Sequence, residues 1–151
     1  GLESALAARK ELAAAREEQK SADAALAKAR AELAVYDAAS QDHLEVLSKG
    51  SWESEDAAKE HMAQLSPLLK PLELESSLVA MLQSVIVKRP PKRGPIDEMV
   101  FNELTSRFTK KTESLRSDVA AAAARVSEQA SAVQAAQAEV DKIGAPSCPG
   151  E

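Results

Sequence analysis

Residues 5–36, ALAARKELAAAREEQKSADAALAKARAELAVY, place an alanine or a larger apolar side chain at nearly every third and fourth position, with no glycine or proline to interrupt them. Written as heptads, the a positions are Ala5, Leu12, Gln19, Leu26 and Leu33, and the d positions are Ala8, Ala15, Ala22, Ala29 and Tyr36. Residues 115–143, LRSDVAAAAARVSEQASAVQAAQAEVDKI, repeat the spacing, with Val119, Val126, Val133 and Val140 at a and Leu115, Ala122, Gln129, Ala136 and Ile143 at d. Seams of this period predict helices packed knobs into holes. Antiparallel pairing sets an a residue opposite a d residue. With partner numbers summing to 148, Leu12 meets Ala136, Leu26 meets Ala122, Leu33 meets Leu115, Ala8 meets Val140 and Ala29 meets Val119. Nearly every small residue then faces a larger one, and Gln19 faces Gln129. A parallel dimer through each arm loses this complementarity, and its alanine d positions would pack thinly against their own copies.

The predicted fold is therefore all-α: a long intramolecular antiparallel coiled-coil hairpin, alanine-rich, with two short helices between the arms forming a helical head, four helices in total. The predicted parts are a first stalk arm over 1–41, a head over 42–110, a second arm over 111–143 and a flexible tail over 144–151. Gly50 reads as a helix C-cap and Ser51 or Ser54 as the next N-cap. The second helix carries Ala58, Met62, Leu65 and Leu69. Pro71 is placed to open a third, carrying Leu74, Leu78, Met81, Leu82, Val85 and Ile86, and Pro95 opens the last. Trp52, Met62, Met81 and Met99 are expected in the head's core.

Composition bounds the function. The 151 residues are 44% hydrophobic but only 3% aromatic, so alanine supplies much of the apolar total, as in long helices and coiled coils. A net charge of −5 argues against wholesale binding of nucleic acid or anionic membrane. The longest apolar run, Leu78 to Val87, falls well short of the roughly 20 residues a membrane span needs. Cys148 is the single cysteine, so no internal disulfide forms, and a nucleophilic role for it is not expected. Because the chain opens on Gly1, its start reads as processed, truncated or left by cloning, and no compartment is assigned.

Four positive charges within six residues, Lys88, Arg89, Lys92 and Arg93, stand on this acidic chain, with Pro90 and Pro91 expected to keep them extended and exposed over the loop 88–94. They are the candidate partner-binding residues, suited to an acidic protein surface; no aromatic residues are interleaved to stack bases. Gln19 and Gln129 are candidate register-setting residues, since a buried amide penalises shifted pairings. His43 and His61 belong to no H-x-x-x-H or E-x-x-H pattern, so no metal ligand is assigned. No catalytic constellation, glycine-rich phosphate loop or cofactor motif stands out. The layout of a long antiparallel coil carrying a small helical head resembles, in outline, the stalk and microtubule-binding head of dynein and the tRNA-binding arm of seryl-tRNA synthetases. That likeness is one of shape and extends to no motif residue. The expected function is a non-enzymatic interaction module whose head docks on an acidic protein surface. The alternatives are a helical subunit packed lengthwise into a larger assembly and, third, a nucleic-acid-binding arm.

Overall fold

The computed structural model describes residues 1–144; the predicted tail from Ala145 onward, with Cys148, lies outside them. The described residues are helical with no strand: α1 (Leu2–Ala39), a π turn (Ser40–Leu44), α2 (Glu45–Lys49), α3 (Glu55–Leu65), α4 (Ser76–Val85) and α5 (Pro95–Gly144). The residues flanking the π turn keep right-handed helical angles, so α1 and α2 are one helix carrying a bulge. Counted this way the described residues hold four helices, and α1 packs antiparallel on α5, as the sequence predicts.

The chain divides into two compact units. The first pairs Gly1–Ala31 with the described residues from Ser117 to Gly144. Ala8, Leu12 and Ala22 are buried there, and Ala5, Ala15, Gln19, Leu26 and Ala29 are half-buried, facing a half-buried row of Val119, Ala122, Val126, Val133, Ala136 and Val140. Arg16 Nη2 donates to Gln137 Oε1 at 2.8 Å and Arg125 Nη2 to Glu18 Oε2 at 3.1 Å. The residue numbers in these two bonds total 153 and 143, five above and five below 148, so they flank the predicted register symmetrically. Alanine removes little area from water, at roughly 25 cal/mol per Å², so this unit gains less per layer than a leucine seam would.

The second unit, Glu32–Arg116, holds the large side chains. Here too the register is kept: Arg116 Nη2 donates to Asp37 Oδ1 at 3.0 Å, and Lys111 Nζ lies 3.9 Å from Glu32 Oε2. The core gathers Leu47, Trp52, Met62, Leu65, Leu82, Val85, Ile86, Phe101, Leu104, Phe108 and Leu115. The Tyr36 ring meets Phe108 at 5.4 Å between centroids, and its hydroxyl donates to the Leu68 carbonyl at 3.0 Å. Ser54 is the residue that caps α3, accepting from the Ala57 N–H at 3.1 Å.

Local expectations are corrected at three places. Pro71 does not open the third helix: it sits in a 3-10 turn, Lys70–Leu72, that ends on Glu73 in the left-handed region at φ 55°. Arg107 Nη1 donates to that turn's Leu72 carbonyl at 2.9 Å, and α4 starts only at Ser76, with Leu74 in the connection. Pro90–Lys92 is not extended; it forms a 3-10 turn. Met81 and Met99 are not core residues, being 41% and 64% exposed. On α4 the core takes Leu82 and Val85, with Ile86 just beyond the helix and Leu78 packed half-buried beside them, which leaves Met81 outside; Met99 precedes buried Val100 on α5 and turns away from the core.

Candidate functional site

The basic run lies across the end of α2. A helix C-terminus leaves carbonyls without intrahelical partners and carries partial negative charge, so it attracts cations. Arg93 fills this role: its Nη2 donates to the Leu47 carbonyl at 2.7 Å, its Nη1 to Ser48 at 3.2 Å and its Nε to Lys88 at 3.0 Å. The same guanidinium stacks over Phe101, 4.9 Å from the ring centroid. Burial lowers its pKa from the ordinary arginine value, opposed by Glu98 and Asp97; arginine stays charged throughout the working pH range. Arg89 Nη1 donates to the Gly50 carbonyl at 2.6 Å, and its guanidinium lies 5.1 Å from the Trp52 ring centre. Gly50 is left-handed at φ 67°, and a Cβ there would overlap Pro90 Cδ, so glycine is required both by angle and by space.

Lys88 Nζ pairs with Asp97 Oδ2 at 2.9 Å, and the same oxygen accepts the Gly94 N–H at 3.0 Å across the start of α5. The Gly94 hydrogen bond first, and Lys88 second, hold the Asp97 carboxyl below the usual carboxylate range. Three of the four predicted partner-binding residues thus bind the protein's own backbone or carboxylates. Lys92 is the fourth: it is exposed and makes no side-chain hydrogen bond or ion pair among the described residues. Arg89 is exposed as well, and the Lys88 side chain is 42% exposed.

Gln19 and Gln129 are both half-buried in the first unit, and no hydrogen bond joins the two amides. The charged bonds on either side of their layer, Arg16 to Gln137 and Arg125 to Glu18, are the directional contacts there.

Two features of the second unit escaped the sequence. A hollow of about 390 Å³ opens between α4 and the first turns of α5, lined by Leu78, Met81, Met99 and Val100, with Glu75 and Glu103 at its rim. Ile96, three residues before Met99 on α5, is 59% exposed. The second feature joins the two histidines, 18 residues apart in sequence: His43 Nδ1 and His61 Nδ1 lie 2.9 Å apart, with the rings tilted by 52°. His43 sits within the π turn and His61 on α3.

In comparisons with known proteins, no family model, no curated protein and no solved structure matches this sequence. No helix among the described residues is long and apolar enough to cross a membrane.

Proposed function

We propose that the chain is a non-enzymatic protein-interaction module, scaffolded by a two-stranded antiparallel coiled coil, whose second unit docks an apolar helical segment of a partner protein in the Met81–Met99 hollow. The observation that carries this reading is the pair of exposed methionines over an apolar floor of Leu78 and Val100. Methionine is unbranched and polarizable, and it moulds to apolar partners at low cost. Glu75 and Glu103 at the rim favour a partner segment that brings a lysine or arginine beside its apolar face. Amphipathic helices bind such grooves through side chains spaced three and four apart.

The acidic-surface reading of Lys88, Arg89, Lys92 and Arg93 is kept as a second contact. It is favoured by one observation: Lys92 is exposed and makes no side-chain hydrogen bond or ion pair among the described residues. Lengthwise packing has less to support it. In the first unit the exposed large apolar residues are Leu2 and Leu6, one helical turn apart, which is too short a strip for a lengthwise interface.

A photo-crosslinking amino acid placed singly at Met81, Met99, Lys92 or Lys20 tests the reading, with adducts identified by mass spectrometry. Docking in the hollow yields the same partner from positions 81 and 99 and none from the exposed position 20 of the first unit. No adduct at 81 and 99, or equal labelling everywhere, refutes it.

A further inference from the structure

The geometry points to a metal site at His43 and His61, where the two Nδ1 atoms bind one late first-row divalent ion such as Cu²⁺, Ni²⁺ or Zn²⁺. This site is independent of the docking surface proposed above. Its basis is the 2.9 Å separation of two nitrogens aimed at each other from two packed helices. The π turn Ser40–Leu44 is what delivers His43 to α3. One extra residue in a helical turn rotates everything after it by about 100°, and such bulges gather at functional sites. Buried Leu44 and Leu47 on one side and Met62 and Leu65 on the other fix both helices behind the rings, so neither histidine depends on a loop for its position.

In the metal-free pair one ring donates through Nδ1–H and the other accepts, so a single hydrogen lies between the nitrogens. An ion displaces that hydrogen and sits off the line between the nitrogens, since two bonds of about 2.0 Å do not fit along a 2.9 Å separation; each ring pivots so that both lone pairs converge on it. The donor ring moves its proton from Nδ1 to Nε2, both Nδ1 lone pairs become ligands, and no net proton is released from two neutral rings. Metal–imidazole bonds are about 2.0 Å long, so two such ligands at a right angle lie about 2.8 Å apart and at a tetrahedral angle about 3.3 Å apart. The observed 2.9 Å matches neighbouring positions of a tetragonal ion, the geometry Cu²⁺ and Ni²⁺ prefer, and reaches the zinc geometry with a shift of about 0.4 Å.

Among the described residues no group of three or more histidine, cysteine, aspartate or glutamate side chains is placed to hold a metal. The protein therefore supplies two ligands, and the remaining positions belong to water or another small ligand. Space for them adjoins His43, in a hollow also lined by Asp42, Gln64, Val35 and Leu68. Asp42 and Gln64 offer oxygen atoms to such waters. A site with open positions exchanges its ion with solution, unlike the four-ligand sites that hold structural zinc.

The test titrates the full chain with Cu²⁺, Ni²⁺ and Zn²⁺ by calorimetry, alongside His43→Gln and His61→Gln, with helicity checked by circular dichroism. One ion per chain is expected, with Cu²⁺ tightest. Each substitution should lower the Cu²⁺ affinity by about 100-fold, at least as much as losing an outer-shell partner does. Cys148 is replaced by serine in all three titrated proteins, because a free thiol binds these ions and reduces Cu²⁺. Nitrogen-15 spectra of the unsubstituted chain add a readout that needs no variant: a diamagnetic Zn²⁺ complex should shift both Nδ1 resonances and leave both Nε2 protonated. Wild-type affinity in either variant, or coordination through Nε2, overturns the assignment.

Discussion

Arg93 is the residue on which the folding of the basic loop turns, and replacing it by alanine should destabilise the second unit by about 3 kcal/mol. Its guanidinium donates to three backbone carbonyls, at Leu47, Ser48 and Lys88. Hydrogen bonds from a charged group contribute about 1.5–3 kcal/mol when buried. This guanidinium is only part-buried, so about 1 kcal/mol for each bond is the appropriate scale, and the Phe101 stack adds about 0.5 kcal/mol. Trp52, 4% exposed within the same unit, reports unfolding by fluorescence. In urea, with a slope of about 1.5 kcal/mol per M, the midpoint should fall by about 2 M. Arg93→Lys keeps the charge but loses the planar fork, so it should retain one bond and lose about half as much. Lys92→Ala, one residue away but directed into solvent, should change stability by less than about 0.5 kcal/mol. If Arg93→Ala behaves like Lys92→Ala, the loop is not clamped to α2 and the geometry described above is wrong.

Gly50→Ala should destabilise the second unit by about 2 kcal/mol or more in the same urea assay, since a left-handed alanine costs about 1–2 kcal/mol and its Cβ also displaces Pro90. Tyr36→Phe keeps the ring on Phe108 and removes only the bond to Leu68, so a loss of about 1 kcal/mol is expected, against about 3–5 kcal/mol for Phe108→Ala. Asp97 has a folded pKa below its unfolded value of about 3.9. Its contribution is therefore present in full above that pH and is lost as pH falls through the lower, folded pKa. Asp97→Asn should accordingly be less stable than the parent at pH 7, with the gap closing on acidification below about pH 4; a gap that stays constant would count against the capping bond.

The long helices were legible because heptad burial is a local property. Of residues 1–36, only the ten positions written as a and d are buried or half-buried, down to Gln19 and Tyr36. The second seam follows the same rule, with Ala123, Arg125, Ala130 and Gln137 half-buried beside it. The head was legible where a residue's chemistry restricts the backbone, as at Gly50, Ser54 and Pro95, and where apolar residues recur at helical spacing, as at Ala58, Met62, Leu65 and Leu69, all buried. What stayed hidden depends on partners that leave no mark in sequence. Arg93 binds carbonyls, which every residue carries. The π turn needs one extra residue, and nothing in Ser40-Gln41-Asp42-His43-Leu44 announces it. His43 lies in that turn and His61 on α3, 18 residues away, so their contact has no local sequence sign. Met81 and Met99 fit a helical apolar period, and periodicity alone does not say that the core is already full.

Salt separates the two docking faces. Contacts made by Lys92 act across solvent, where the Debye length is about 10 Å at 0.1 M and about 3 Å at 1 M. A partner held by the basic loop should therefore dissociate as salt rises through that range. A partner seated on Leu78, Met81, Met99 and Val100 is held by removal of apolar surface from water, which salt does not screen and sulfate strengthens. Glu75 and Glu103 at the rim would add only a modest salt dependence, because Glu103 is already paired with Arg107 at 3.1 Å. Lys88 is paired with Asp97, and Arg89 and Arg93 keep their charge but are fixed in place on backbone carbonyls, so Lys92 is the one side chain of the four free to reorient towards an acidic partner. A single exposed ion pair contributes about 0–1 kcal/mol, whereas burying one methionine contributes about 1.5–3 kcal/mol. Binding that survives 1 M salt and is lost on Met81→Glu follows from those magnitudes; binding that vanishes at 0.3 M salt and tolerates Met81→Glu would assign the partner to Lys92 instead.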